Sequence, residues 1–193
     1  MRKLSMDELG RKSVEEVKQS EKTPVIVVLE NIRSAYNIGS VFRTADAFLV
    51  EAIYIIGYSA IPPHKEIKKT ALGAEESVAW KHFATSAEAI TELRANGYNV
   101  YAVEQAEGSY KLNAIGFDDN EKIAVIFGNE VTGVEQSTIQ LTDGCLEIPQ
   151  LGMKHSLNIA TAAGVVLWEL VRGRMPLSLP TPITSGLKGE LGT

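Results

Sequence analysis

Short runs of apolar residues alternate with longer segments of helical period along most of this 193-residue chain, and that alternation decides the fold class. The strand-length runs are Val25 to Leu29, Ala52 to Ile56, Val100 to Val103, Lys122 to Phe127 and Cys145 to Ile148. A strand apolar at successive positions buries both of its faces, as happens in a parallel sheet covered by helices on either side. Between the first two runs, Ile38, Val41, Phe42, Ala45, Phe48 and Leu49 repeat at helical spacing. The chain is therefore expected to be an α/β domain with a mainly parallel sheet and helices on both faces. Its length suits one domain with short tails.

Residues 1–23 read as an N-terminal helical extension. Ser5 is its N-cap, Glu8 completes a capping box, and Leu4, Leu9, Val14 and Val17 are sparse apolar positions. Residues 24–174 read as the domain, and residues 175–193, with three Pro and three Gly, as a loosely attached tail. Within the domain, Pro62 and Pro63 introduce a loop that runs into the lysine-rich stretch Lys65, Lys68 and Lys69. A segment from Ser77 to Phe83 has strand character. Thr85 and Glu88 form a second capping box for a helix ending at Asn96 and Gly97. The strongest helix runs from about Ser156 to Arg172.

Composition removes several classes of function. The longest apolar stretches, Ala52 to Gly57 and Ile159 to Leu170, fall short of the roughly 18 to 20 residues that cross a bilayer. Residues 1–22 mix both signs of charge and hold no apolar core, unlike a secretory or transit peptide, so a cytoplasmic location is expected. Cys145 is the single cysteine, and His64, His82 and His155 lack metal-ligand spacing, so no metal is expected. The net charge of -5, from 19 Lys plus Arg against 24 Asp plus Glu, argues on average against a nucleic-acid partner. A local basic surface on an acidic chain is common enough to keep that question open.

In parallel sheets ligands bind beyond the carboxyl ends of the strands. The common phosphate-binding patterns are missing there. Gly128 and Gly133 have the glycine spacing of a P-loop, but Val134 and Glu135 stand where Lys and Ser or Thr belong. There is no GxGxxG after the first strand and no GxSxG elbow. Instead, three polar clusters follow three strands. The first runs from Glu30 to Asp46 and contains Asn31, Arg33, Asn37 and Arg43. The second is Phe127-Gly128-Asn129-Glu130-Val131-Thr132-Gly133, and the third runs from Ile148 to Asn158. Taken singly, each polar residue has an ordinary explanation as a cap, a turn or a surface ion pair.

Taken together they form a pattern. Asn-x5-Arg, Phe-Gly-x-Glu-x-x-Gly and Ile-Pro-x-x-Gly-x-x-x-Ser-Leu-Asn, in this order, resemble the three motifs of the SpoU or TrmH-type RNA ribose 2'-O-methyltransferases of the SPOUT superfamily. The resemblance covers about residues 24 to 174, and Lys69 to Glu76 also looks like a family segment. It implies a C-terminal deep trefoil knot, which apolar periodicity alone would never suggest. It also implies S-adenosylmethionine as cofactor and an RNA substrate, with tRNA favoured over rRNA. A homodimer is expected through the knot region and the long helix, whose small residues Ala160, Ala163 and Gly164 permit close packing.

By motif position the resemblance assigns Asn37, Arg43, Glu130, Ser156 and Asn158 to catalysis. It assigns Val103, Glu104, Phe127, Gly128, Ile148, Gln150, Ser156 and Leu157 to the cofactor. Arg43 is the implied centre, contacting the target phosphate and assisting loss of the hydroxyl proton. A guanidinium with a pKa above about 12 is a poor base and a good phosphate clamp. Gln150 departs from the apolar residue that often follows Ile-Pro in the family. With little chain ahead of the first strand, RNA capture is expected to fall to Arg33, Arg43, Lys65, Lys68 and Lys69, aided by Arg2, Lys3, Arg11, Lys12 and Lys18. The basic residues near Arg33, Arg43 and Lys65 to Lys69 are expected to share one face. A catalytically inactive RNA- or S-adenosylmethionine-binding protein of the same fold is the rival reading. The joint presence of Asn37, Arg43, Glu130, Ser156 and Asn158 counts against it.

Overall fold

The structure, a computed structural model, describes residues 1–175 apart from residues 6, 7, 9 and 11. One seven-stranded sheet forms from β1 Thr23–Glu30, β2 Val50–Ile56, β3 Ala79–Phe83, β4 Asn99–Val103, β5 Tyr110–Lys111, β6 Ile123–Phe127 and β7 Gly144–Glu147. Their order across the sheet is β3-β2-β1-β6-β4-β7-β5, and every neighbouring pair is parallel. The interior strand β1 pairs Leu29 with Ile55 of β2 on one side and with Phe127 of β6 on the other.

The helices are α1 Val14–Gln19, α2 Ala35–Ala47, α3 Lys65–Ala71, α4 Ala74–Ser77, α5 Ser86–Ala95, α6 Gln136–Ile139 and α7 Ile159–Arg172. Alternate residues of the strands feed two separate cores. Val25, Val27, Leu29, Val125 and Phe127 face Ile38 and Phe42 of α2, Ile67 of α3, and Val166, Leu167 and Leu170 of α7. Ile26, Val28, Ala124 and Ile126 face Ala89, Ile90 and Leu93 of α5. Each fully buried Val, Ile, Leu or Phe among them contributes about 1.5–3 kcal/mol through removal from water. The double-sided burial explains why the strands read as apolar throughout.

Three elements differ from the sequence reading. Ser5 and Glu8 do exchange hydrogen bonds, Ser5 N to Glu8 Oε2 at 2.7 Å and Glu8 N to Ser5 Oγ at 3.4 Å. Residues 6, 7, 9 and 11 of the expected helix lie outside the described residues, and the α-helix of the extension is Val14–Gln19. A second capping box, Ser13 with Glu16, starts it, and Gly10 at φ +56° lies between the two boxes. No residue of α1 is buried, so packing offers nothing to sustain a longer helix. The lysine-rich stretch is a helix and not a loop, because Ile67 and Ala71, four apart, are buried beside α2. The long helix begins at Ile159 and not near Ser156, and Asn158 caps it, its Oδ1 accepting from Ala160 N at 2.9 Å. The short elements α4, β5 and α6 carry no periodic signal of their own. Beyond Met175 the expected tail lies outside the described residues.

Candidate active site

From β1 the chain builds β2 and β3 to one side and then β4, β5, β6 and β7 to the other, so strand order reverses between β1 and β6. Loops leaving two such strands diverge and open a crevice at their carboxyl ends. The polar cluster after β1 and the one after β6 meet there.

The loop after β6 is tight. Asn129 N donates to Gly133 O at 3.0 Å and Gly133 N to Asn129 O at 2.9 Å, closing it on itself. A Cβ on Gly128 would collide with the Gly133 carbonyl carbon and Val134 N, so it is backbone that the glycine admits. Gly133 has φ +71° and faces the Glu104 carboxylate. The buried Asn129 side chain satisfies every polar atom it carries. Its Nδ2 donates to Asn31 O at 2.8 Å and to Tyr58 Oη at 2.7 Å, and its Oδ1 accepts from Val131 N and Thr132 N.

That loop delivers Glu130 to the start of α2. The carboxylate accepts from Arg33 N at 2.9 Å, Ser34 N at 3.1 Å and Asn37 Nδ2 at 2.9 Å. From the third cluster, Asn158 Nδ2 donates to Asn37 Oδ1 at 3.2 Å. Asn37, Glu130 and Asn158 thus form one chain of hydrogen bonds, spanning separations of 93 and 121 residues. Burial pushes the Glu130 carboxyl up. The donors from Arg33 N, Asn37 Nδ2 and Ser34 N outweigh it and hold the group below the ordinary carboxylate range.

The other expected catalytic residues lie outside this chain. Arg43 sits six residues past Asn37 on α2, about 9 Å along the axis and roughly 120° round it. Its guanidinium is exposed, and no ion pair among the described residues engages it. Ser156 is exposed in the loop ahead of α7.

The expected cofactor residues fall into two groups. Ile148, Gln150, Ser156 and Leu157 line one cleft of about 410 Å³, together with Pro149, Leu151 and Met153. Val103, Glu104, Phe127 and Gly128 do not line it. Phe127 is buried in the core, and Glu104 Oε2 accepts from Val134 N at 3.1 Å, which commits it to the glycine loop. The Gln150 departure has a structural use. Gln150 Nε2 and Gln105 Nε2 both donate to His155 O, at 3.2 Å and 2.7 Å, bracing the cleft loop.

Arg33, Lys65, Lys68 and Lys69 are exposed. The ion pairs of the described residues use Arg2, Lys81, Arg94, Lys111 and Arg172 as cations, so these four and Arg43 are left uncompensated. Among the described residues, no group of three or more His, Cys, Asp or Glu is placed to hold a metal ion.

Sequence reasoning placed Glu30 and Asn129 in the polar clusters without giving them a role, and did not single out Gln105. Glu30, buried at the end of β1, accepts from the Ser86 hydroxyl, from Thr138 Oγ1 and from Glu135 N, joining β1 to α5 and α6. A carboxylate closing an apolar strand was the available signal, since a charge at such a place needs partners.

The SpoU rRNA Methylase family matches residues 24–168 of this sequence. The chain belongs to that family. A tRNA (guanosine(18)-2'-O)-methyltransferase of Thermus thermophilus is 32% identical over 89% of this chain and 87% of its own length. A 23S rRNA (guanosine-2'-O-)-methyltransferase of Vibrio parahaemolyticus is 28% identical over 87% of this chain and 67% of its own. Among solved structures, an AdoMet-bound rRNA methyltransferase from Sinorhizobium meliloti superposes with a TM-score of 0.74 at 26% identity. It matches 83% of this chain, which spans 61% of that one. The parallel α/β sheet is thus the SpoU methylase architecture, and the hydrogen-bonded trio joins one residue from each of the three SpoU-like motifs.

Proposed function

We propose that this chain transfers a methyl group from S-adenosylmethionine to a ribose 2'-hydroxyl of RNA. The observation that carries the reading is the chain Glu130–Asn37–Asn158, which binds the three motif loops together at the sheet's switch point. Its neighbour is a cleft whose lining suits an adenosyl group. Ile148, Pro149, Leu151 and Leu157 are apolar, Gln150 and Ser156 supply a few polar anchors, and about 410 Å³ lies within the range of small-molecule sites. Ile148, Gln150, Ser156 and Leu157 are the residues we assign to hold the cofactor. When bound, it supplies a methyl group made electrophilic by a sulfonium charge.

The protein's own share is alignment and charge. Glu130, held ionised by three donors, fixes the Asn37 carboxamide from one side, and Asn158 fixes it from the other. With both ends engaged, Asn37 keeps one N–H to present to the ribose. A carboxylate held below its ordinary range is a weak base, so Glu130 orients and does not collect the proton. Arg43, always charged and without a protein partner among the described residues, is free to clamp the phosphate beside the target ribose.

We infer tRNA as the substrate. Support comes from the Thermus tRNA enzyme, matched over 87% of its length, against 67% for the Vibrio rRNA enzyme. We also propose that the chain acts as a homodimer and that α7 completes a trefoil knot. Trp168 and Val165 of α7 are half-exposed beside a groove of about 440 Å³ that also includes Leu112, Ile148, Pro149 and Gly164, a surface suited to a second copy. The knot rests on the family resemblance. No helix among the described residues is long and apolar enough to cross a membrane. A cytoplasmic site of action accords with an RNA substrate.

The test is mass-spectrometric mapping of ribose methylation in tRNA and rRNA from cells with and without this protein. One 2'-O-methyl mark missing from tRNA is the expected result. Identical maps in both RNAs would overturn the assignment.

A further inference from the structure

Tyr36 has no part in the hydrogen-bonded trio, yet it immediately precedes Asn37. Its ring is 41% exposed, an unusual state for an aromatic on a helix whose other large apolar residues, Ile38, Val41 and Phe42, are fully buried. Lys69 of α3 places Nζ 5.7 Å from the ring centroid, within cation–π reach. The backbone beneath the ring is fixed twice, because Tyr36 O accepts from Ser40 Oγ at 2.9 Å and from Thr70 Oγ1 of α3 at 3.0 Å. Gly39 offers no Cβ, and that lets α3 lie close enough for the second bond.

The surroundings match a nucleic acid. Arg43 is seven residues further along α2, which returns it to the Tyr36 side of the helix about two turns on. Lys65 and Lys69, four apart on α3, and Lys68 beside them are exposed cations outside the ion pairs of the described residues. An aromatic face set among unpaired cations is the combination that binds single-stranded RNA, bases stacking on the ring and phosphates meeting the charges.

We propose that Tyr36 is a stacking platform for an unpaired RNA base beside the methylated nucleotide, with Lys69 and Arg43 contacting the phosphates on either side of it. The inference rests on the methyl-transfer reading above and gives that reading a recognition element: the substrate nucleotide must lie in an unpaired segment. The face opposite Lys69 is the one left for the base, and the fixed backbone spares the ring an ordering cost when RNA arrives.

Equilibrium binding of the full chain to total tRNA and to a short oligoadenylate tests this separately from catalysis. Compared with wild type, Tyr36→Ala is expected to weaken both by about 5- to 100-fold, the span of one lost base stack. Tyr36→Phe, which keeps the ring, is expected to stay within about twofold. Lys69→Gln is expected to lower the slope of log affinity against log salt by about one phosphate contact. The thermal midpoint of Tyr36→Ala serves as the folding control. Wild-type affinity in Tyr36→Ala, or equal losses in Ala and Phe variants, would overturn the platform. RNA binding with the expected Tyr36 dependence but no methyl transfer would keep the platform and defeat the catalytic reading. A wild-type chain that binds neither RNA at low salt would defeat both.

Discussion

Replacing Glu130 by Gln separates a true hydrogen-bonded unit from residues that merely lie close. In the structure Oε1 of Glu130 serves two donors, Ser34 N at 3.1 Å and Asn37 Nδ2 at 2.9 Å, and Oε2 serves Arg33 N at 2.9 Å. A glutamine has one acceptor oxygen. Turned toward Ser34 and Asn37, it sets its own amide against Arg33 N, donor facing donor. One charge-assisted bond is lost and two are weakened to neutral strength. Bonds to charged groups contribute about 1.5–3 kcal/mol and neutral ones about 0.5–1.5 kcal/mol. The low ends of these ranges give about 3.5 kcal/mol, but Glu130 lies on the exposed rim, where water screens the charge and can satisfy the freed Arg33 N–H, so the expected loss is about 1–2 kcal/mol. For a domain of this size that lowers the thermal midpoint by about 2–8 °C. Asn37→Ala removes one of the same bonds, so the two changes should not add. Thermal or urea unfolding of wild type, both single variants and the double variant gives the coupling, expected at about 0.5–1.5 kcal/mol. In methyl transfer, Glu130→Gln should lower kcat by about 10- to 100-fold through misplacement of Asn37, with the affinity for S-adenosylmethionine unchanged. Additivity within about 0.3 kcal/mol would refute the unit, whatever the activities showed.

Arg43→Ala is expected to abolish methyl transfer while calorimetry shows nearly unchanged S-adenosylmethionine binding, and equal turnover would remove Arg43 from the mechanism. Gly128→Ala forces a Cβ into the backbone of Gly133 and Val134, an overpacking of about 1–3 kcal/mol, and scanning calorimetry should show a clear drop in midpoint. An unaltered midpoint would mean that the loop closes less tightly than described. The acid limb of stability carries its own signature. The native Glu130 carboxyl lies below its unfolded value, so its contribution is complete above roughly pH 4.3 and is lost as pH falls through the lowered native value. The difference in midpoint between wild type and Glu130→Gln should therefore be largest near neutrality and shrink in acid. A gap that widens in acid would contradict that sign.

The sheet was legible because β1, β2 and β6 are buried on both faces, and double burial leaves an uninterrupted apolar run. Helix α3 was not, since two apolar positions, Ile67 and Ala71, are too few to show a period amid three lysines. Asn37, Glu130 and Asn158 could be named from their motifs, but the bonds among them depend on a strand order that no local pattern contains. The bracing roles of Asn129 and Gln105 were not legible for a similar reason. Both residues donate to a backbone carbonyl of a distant loop, Asn31 O for Asn129 and His155 O for Gln105, and such a partner leaves no trace in the sequence. The basic residues were visible as residues, whereas their standing outside the ion pairs of the described residues depends on where the fold puts those carboxylates.

The placement of β6 between β1 and β4 has a bearing on biosynthesis. During translation, β1 through β4 leave the ribosome while the middle of their sheet is still missing, and Glu130 follows only with β6. Asn158 follows later still, just ahead of the helix that covers the larger core. A growing polypeptide therefore holds no assembled Glu130–Asn37–Asn158 chain until nearly the whole domain has been synthesised, and long-range closure of this kind is slow. Ribosome-bound chains stopped before residue 158 should carry the Lys65 to Lys69 surface without a complete catalytic site.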